Sequence, residues 1–224
     1  MPEISDHRAR ILASIRVSLN KGMSPAQAEA NIAAECANLD RKYVRTGTRA
    51  TAGHDGLLEL LTDRLLEYDA GVYRAAPEGI AAAVGEILAG RGKRGLAIPA
   101  GVPAEWLPQG YEFTLAEGFD AYQLDATEGV LTGCSVAIAE TGSIVLQNAA
   151  AQGARILSLV PDYHLCVVFA GQIVEEVPEA FARLKATSTL PTTFISGPSA
   201  TADIEMTRIK GVHGPRFLDV LLVV

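Results

Sequence analysis

An α/β fold, with a largely parallel sheet flanked by helices and a helical arm in front of it, is what this sequence predicts from three observations. From Gly71 onward, short apolar runs alternate with helical segments, the rhythm of strands joined by crossover helices. The first seventy residues or so read as helical instead. The length of 224 residues and the 49% hydrophobic content suit one compact domain or one domain with an appendage. The expected division is a helical arm over 1–54 and an α/β domain over 55–224.

Taken in order, the arm contains "SPAQAEANIAAECANLDRKY", where Ser24 is the N-cap, Pro25 the first helical residue and Gln27 the partner of a capping box. Its many alanines make a good helix with a thin apolar face, so it packs on something larger. "RTGTRATAGHDG" reads as a loop ending where Asp55 caps the next helix, whose Leu57, Leu58, Leu61 and Leu65 form one stripe. "GVYRA" reads as a strand, "PEGIAAAVGEILAG" as a helix between Pro77 and Gly90, and "RGLAIP" as a buried strand. In "GVPAEWL" a short helix places Trp106 over the core. "CSVAIAE", "GSIVLQ", "HLCVVFA", "PEAFARLKA", "TTFIS", a helix over Thr201 to Arg208 and "LDVLLVV" complete the set. The short "AETGS" link predicts an antiparallel hairpin around Thr141 and Gly142.

Composition removes several classes of function. With 26 acidic against 19 basic residues, the net charge of -7 offers no phosphate-neutralising surface, so nucleic acid is not an expected partner. The N-terminus mixes charges into its apolar positions, and no run approaches the roughly 18 apolar residues of a membrane span, which predicts a soluble cytoplasmic protein. Cys36, Cys134 and Cys166 lie far apart without a C-x-x-C pair, so neither a disulfide framework nor a local zinc or iron–sulfur motif is present. No metal is assigned to the chain.

Ligands of open α/β sheets bind beyond the carboxyl ends of the strands, and four segments are nominated on that rule. Glu140 ends an apolar strand, where a carboxylate is solvated, paired or used as a base or nucleophile. Thr141 and Ser143 bracket Gly142, which serves a ligand or simply a turn. In "ISGPSATADIEMTR", Ser196 leaves a strand, Gly197 and Pro198 turn the chain, and Ser199 or Thr201 caps the expected helix, making a cradle for a carboxylate or phosphate. Asp203 and Glu205 in its first turns oppose a second anion. His213 in a Gly-flanked loop and Arg216 at the last strand can orient a hydroxy or keto acid, or be plain surface residues. His164 precedes a buried strand, where a histidine is more often structural than a ligand.

"SVAIAETGSIVL", "LVPDYHLCVVFAGQIV" and "ISGPSATADIEMTRIKGVHGPRFLDVLLV" occur in that order, and together they resemble the LUD-domain family from about Gly129 to the C-terminus. The resemblance implies a Rossmann-like fold related to ribose-phosphate isomerases and CoA transferases. It also implies a role in bacterial lactate utilisation, the oxidation of L-lactate to pyruvate with iron–sulfur partner subunits that carry the clusters. This chain would then hold no cofactor of its own. The positions that coincide with the family motifs are Glu140, Thr141, Gly142, His164, Ser196, Gly197, Pro198, Ser199, Thr201, Asp203, Glu205, His213 and Gly214. Two alternatives stay open: a stand-alone isomerase or CoA-transferase-like enzyme using Glu140, and a non-catalytic assembly subunit. Homodimer formation is also left open.

Overall fold

The computed structural model describes residues 3–20, 23–40, 42, 46–47, 54–202, 208–210 and 214–224, without the side chains of 3–6, 19–20, 25, 54, 201–202 and 208–210. The chain divides into two compact units, Met1–Tyr43 and Val44–Val224. The first carries helices α1 (Glu3–Asn20) and α2 (Pro25–Asn38). The capping box is present at α2: the Gln27 amide donates to the Ser24 hydroxyl at 3.4 Å, and the Ser24 amide donates to the Gln27 side chain at 3.1 Å.

The second unit opens with α3 (His54–Glu67), which starts one residue ahead of Asp55 and so puts that carboxylate in the first turn, favourable to the helix dipole, rather than at the cap. β1 (Gly71–Ala75), α4 (Ile80–Gly90), β2 (Gly95–Ile98), β3 (Glu112–Leu115), α5 (Ala121–Asp125) and β4 (Val130–Thr132) follow. Next come β5 (Val136–Ile138), β6 (Ser143–Gln147), β7 (Tyr163–Phe169), β8 (Ile173–Val174), α6 (Val177–Leu184), β9 (Thr192–Ile195), β10 (Ala200–Ala202), β11 (Arg208–Lys210) and β12 (Phe217–Val223).

Six strands form one parallel sheet in the order β1-β12-β7-β4-β2-β3. Numbered from β2, the five strands that follow one another in this sheet lie in the doubly wound order 2-1-3-4-5, with β1 added at the far edge. A second, four-stranded sheet, β8-β5-β6-β9, is built from the connections of the first. β5 and β6 come from the link between β4 and β7, and β8 and β9 from the link between β7 and β12. The hairpin read from "AETGS" is the β5–β6 pair, with Gly142 at φ 59°.

α3 is the wedge between the sheets. Its Leu57, Leu58, Leu61 and Leu65 are buried with Cys166, Val168, Leu218, Val220 and Leu222 of the large sheet and Ala137, Ile144 and Leu146 of the small one. The opposite face of the large sheet is covered by Ile80, Val84, Ile87 and Leu88 of α4, with Trp106 closing that core against Phe169. α6 covers the outer face of the small sheet through Ala180 and Leu184. The large sheet is therefore flanked by α4 on one face and, on the other, by α3 together with a second sheet.

The helix expected over Thr201 to Arg208 is corrected at both ends. Ala200–Ala202 and Arg208–Lys210 are antiparallel strands, with Thr201 opposite Ile209. Backbone pairing between these two segments overrides the local helix preference of the alanines at 200 and 202. Ser199 and Thr201 thus precede or occupy a strand and cap no helix there.

Candidate functional site

The four nominated segments do not share one rim of the parallel sheet. The turn at 140–142 belongs to the small sheet, and His164 lies near the amino end of β7, away from the carboxyl rim. What does meet is set by strand register. In the antiparallel β6–β9 pair Ile144 stands opposite Ile195, so Ser143 and Ser196 follow as the next opposed residues. Their hydroxyls are 2.6 Å apart, and Thr141 donates to Ser143 at 2.8 Å, giving one chain of three hydroxyls.

Both glycines of these motifs serve packing, Gly142 against α3 and Gly197 against Tyr68 just after it. A Cβ on Gly142 would lie 2.8 Å from the Arg64 Cβ, and one on Gly197, at φ 84°, would lie 2.5 Å from the Tyr68 Cβ. Replacing Gly197 by Ala adds a left-handed backbone penalty to that collision. It is expected to cost about 2 kcal/mol in urea denaturation, whereas Ser196→Ala stays within about 1 kcal/mol.

Glu140 is exposed and directed at α3: Arg64 donates through Nε to its main-chain oxygen at 3.1 Å and through a terminal nitrogen to its carboxylate at 3.5 Å. With side chains 33% and 43% exposed, this is a surface ion pair that contributes little to stability. Arg216 forks onto Asp162 through Nε and a terminal nitrogen, the latter at 2.8 Å, and these hydrogen bonds, with its charge, hold the Asp162 carboxyl below the usual range. Asp203, Glu205 and His213, read as candidates in the sequence, lie outside the described residues, as does the side chain of Thr201.

His164 is fully buried, its Nε2 2.7 Å from the Thr132 hydroxyl. Thr132 reaches the Cys166 thiol at 3.8 Å, and that thiol reaches the Gly133 carbonyl at 3.6 Å. The chain runs consistently if Nε2–H donates to Thr132, Thr132 to Cys166, and Cys166 to Gly133. Nδ1 then keeps a bare lone pair, and it is the atom without a partner. Burial pushes the imidazole down to about 4.

A groove of about 320 Å³ runs along the exit of β9. Ser196, Gly197, Pro198 and Ser199 line one side, and Arg155, Ser158 and Leu159 the other. Arg155 opens a short 3₁₀ turn, Arg155–Ser158, and has no ion-pair partner among the described residues. A guanidinium opposite hydroxyls and a turn backbone can receive a carboxylate. Sequence reading missed Arg155, because an isolated arginine carries no spacing signal and only the fold brings it to Ser196. Among the described residues no three His, Cys, Asp or Glu side chains converge on a metal position, and no helix is long and apolar enough to cross a membrane.

Strand order and layers define a doubly wound α/β protein with a small polar groove on an accessory sheet. The LUD domain profile matches residues 112–223. A Lactate utilization protein C from Deinococcus radiodurans is 43% identical over 170 residues, 75% of this chain and 79% of that protein. The chain belongs to the LUD domain family. The crystal structure of a DUF162 family protein from Deinococcus radiodurans superposes with a TM-score of 0.67 at 38% identity, covering 77% of this chain and 99% of that one. Shorter matches include a Lactate utilization protein C from Shouchella clausii, 34% identical over 42% of each chain. The uncharacterized protein YkgG of Escherichia coli is 40% identical over 35% of this chain and 36% of its own.

Proposed function

We propose that this protein is a cytoplasmic component of L-lactate utilisation that acts with iron–sulfur partner subunits in oxidising L-lactate to pyruvate, and that it holds a small carboxylate in the Ser196 groove. The observation that carries the assignment is the 43% identity, over three quarters of the chain, to a protein named for lactate utilisation. The groove supports the carboxylate reading through the Arg155 cation facing Ser196 and Ser199. Electron transfer is assigned to the partners: three cysteines in the sequence are one short of a four-thiolate cluster, and Cys134 and Cys166 are buried in the core. A free-standing enzyme with Glu140 as nucleophile has less support, because that carboxylate is turned to Arg64, away from the groove.

Complementation tests the proposal. A deletion strain is expected to lose growth on L-lactate as sole carbon source and to recover with the wild-type chain. The Arg155→Glu chain, expressed and folded by circular dichroism, is expected not to restore it, since a carboxylate there repels the ligand. Normal growth of the deletion strain would overturn the pathway assignment, and full rescue by Arg155→Glu would remove the groove from it.

A further inference from the structure

A second cavity, larger than the groove and apart from it, lies on the other side of the segment 148–159. Its volume is about 720 Å³, within the range of small-molecule sites. It opens beyond the carboxyl ends of β2 and β3, at Pro99 to Gly101 and Ala116 to Phe119. The winding reverses at β2, which pairs with β3 on one side and β4 on the other, and residues 148–157 of the β4–β7 connection close the cavity from the β4 side. Connections that leave in opposite directions open a crevice there, the general ligand position of doubly wound sheets.

The crevice is held open by a specific device. Ala151 donates to the Ala100 carbonyl after β2 and accepts from the Gly133 amide after β4, both at 2.8 Å. To make both bonds it sits at φ 62°, a conformation that costs a residue with a Cβ about 1 kcal/mol or more. The strap is anchored on its far side by Gln152, whose side-chain oxygen accepts from the Gln147 amide at 2.8 Å and from Ser135 at 2.9 Å.

The lining restricts what can enter. Among the described residues no Lys, Arg or His lines the crevice, and only a three-residue turn, Ala104–Trp106, follows β2, so a phosphate finds there neither a cation nor a long helix N-terminus. Phe119, Ile156 and Leu157 give an apolar wall suited to a flat ring. Glu117, two residues beyond β3, and the Asn148 side chain have no hydrogen-bond or ion-pair partner among the described residues. A carboxylate at the tip of the strand beside the switch strand is placed as in dinucleotide-binding sheets, where it accepts from ribose hydroxyls.

We propose that this crevice binds a neutral ribonucleoside-type ligand, its vicinal diol on Glu117 and its ring against the Phe119, Ile156 and Leu157 wall. The proposal is independent of the carboxylate groove. Calorimetric titration of the full chain with adenosine, 2′-deoxyadenosine and AMP tests it. Adenosine is expected to bind saturably, and 2′-deoxyadenosine about tenfold more weakly, for loss of one bond to a charged acceptor. Glu117→Gln is expected to lose a similar factor for adenosine and to discriminate the two nucleosides no longer. Ala150→Phe, which fills the crevice from an exposed position, is expected to abolish binding while circular dichroism shows an intact fold. No saturation at millimolar adenosine, AMP binding more tightly than adenosine, or adenosine affinity unchanged in both variants would each overturn the proposal.

Discussion

Asp219→Ala is expected to lower unfolding free energy by about 3 kcal/mol, the largest single-residue effect foreseen for this chain. The Asp219 side chain is fully buried in β12, where Arg91 donates to it through Nε at 2.8 Å and through a terminal nitrogen, and Tyr163 donates through its hydroxyl at 2.9 Å. Removing the carboxylate leaves the buried Tyr163 hydroxyl without an acceptor and Arg91 without its counterion. Because the Arg91 side chain is 32% exposed and can be solvated, the cost sits at the low end for a broken buried pair. Burial and the adjacent Asp219 charge push the Tyr163 phenol well above its ordinary range, so that hydroxyl remains a donor throughout the stable pH range. Arg91 follows α4 directly and also stacks on the Phe217 ring with 5.6 Å to its centroid, so the cluster ties the end of α4 to the amino ends of β7 and β12. Gly71 completes it, since a Cβ there would stand 2.1 Å from the Asp219 carboxylate. Thermal unfolding reads the effect as a fall of about 6–12 °C. A loss below about 1 kcal/mol would show that Arg91 and Tyr163 find water instead.

Stability is expected to fall on acidification below pH 6.5 through His164. In the unfolded chain the imidazole protonates near 6.5, whereas in the folded chain it stays neutral down to about 4. Between those values the unfolded state binds more protons, so unfolding free energy decreases as pH decreases. Above pH 6.5 there is no penalty. Below pH 4 the penalty is complete, at about 3 kcal/mol, and the steepest slope approaches about 1.4 kcal/mol per pH unit. Denaturation curves at pH 7, 6 and 5 check this. His164→Gln, which can still bond Thr132, is expected to flatten the profile between pH 6.5 and 5. Ring-proton titration by NMR gives a second readout, in which the His164 ring stays neutral at pH 5; its titration between pH 6 and 7 would refute the assignment.

Much of the fold was legible because local chemistry wrote it. The Ser24 and Gln27 capping box, the leucine stripe of α3, the hairpin at Gly142 and the terminal strand each rest on residues adjacent in the chain. The reading passed over β3, β4, α5 and β8: "EFTL" is a short edge strand with three exposed residues and little apolar periodicity, and β4 and β8 are only three and two residues long. It expected a helix over Thr201 to Arg208, because propensity and capping residues were consistent there while the competing term, pairing of Ala200–Ala202 with Arg208–Lys210, is invisible in either segment alone.

The candidate site shows the same limit more sharply. Gly142 was read as serving a ligand or a turn and Gly197 as a turn, and only the fold shows both packed against α3 and the residue that follows it. The sequence alone determined the α/β class, the family and the longer apolar strands, because burial pattern, turn chemistry and motif order are properties of neighbouring residues. Only tertiary structure decided that crossover segments build a second sheet, that register sets Ser143 against Ser196, and that Arg155 faces that pair across a groove. It also decided that the winding reverses over a crevice lined by Glu117. Register and strand order are relations between segments dozens of residues apart, set by the total free energy of packing, which no local window contains.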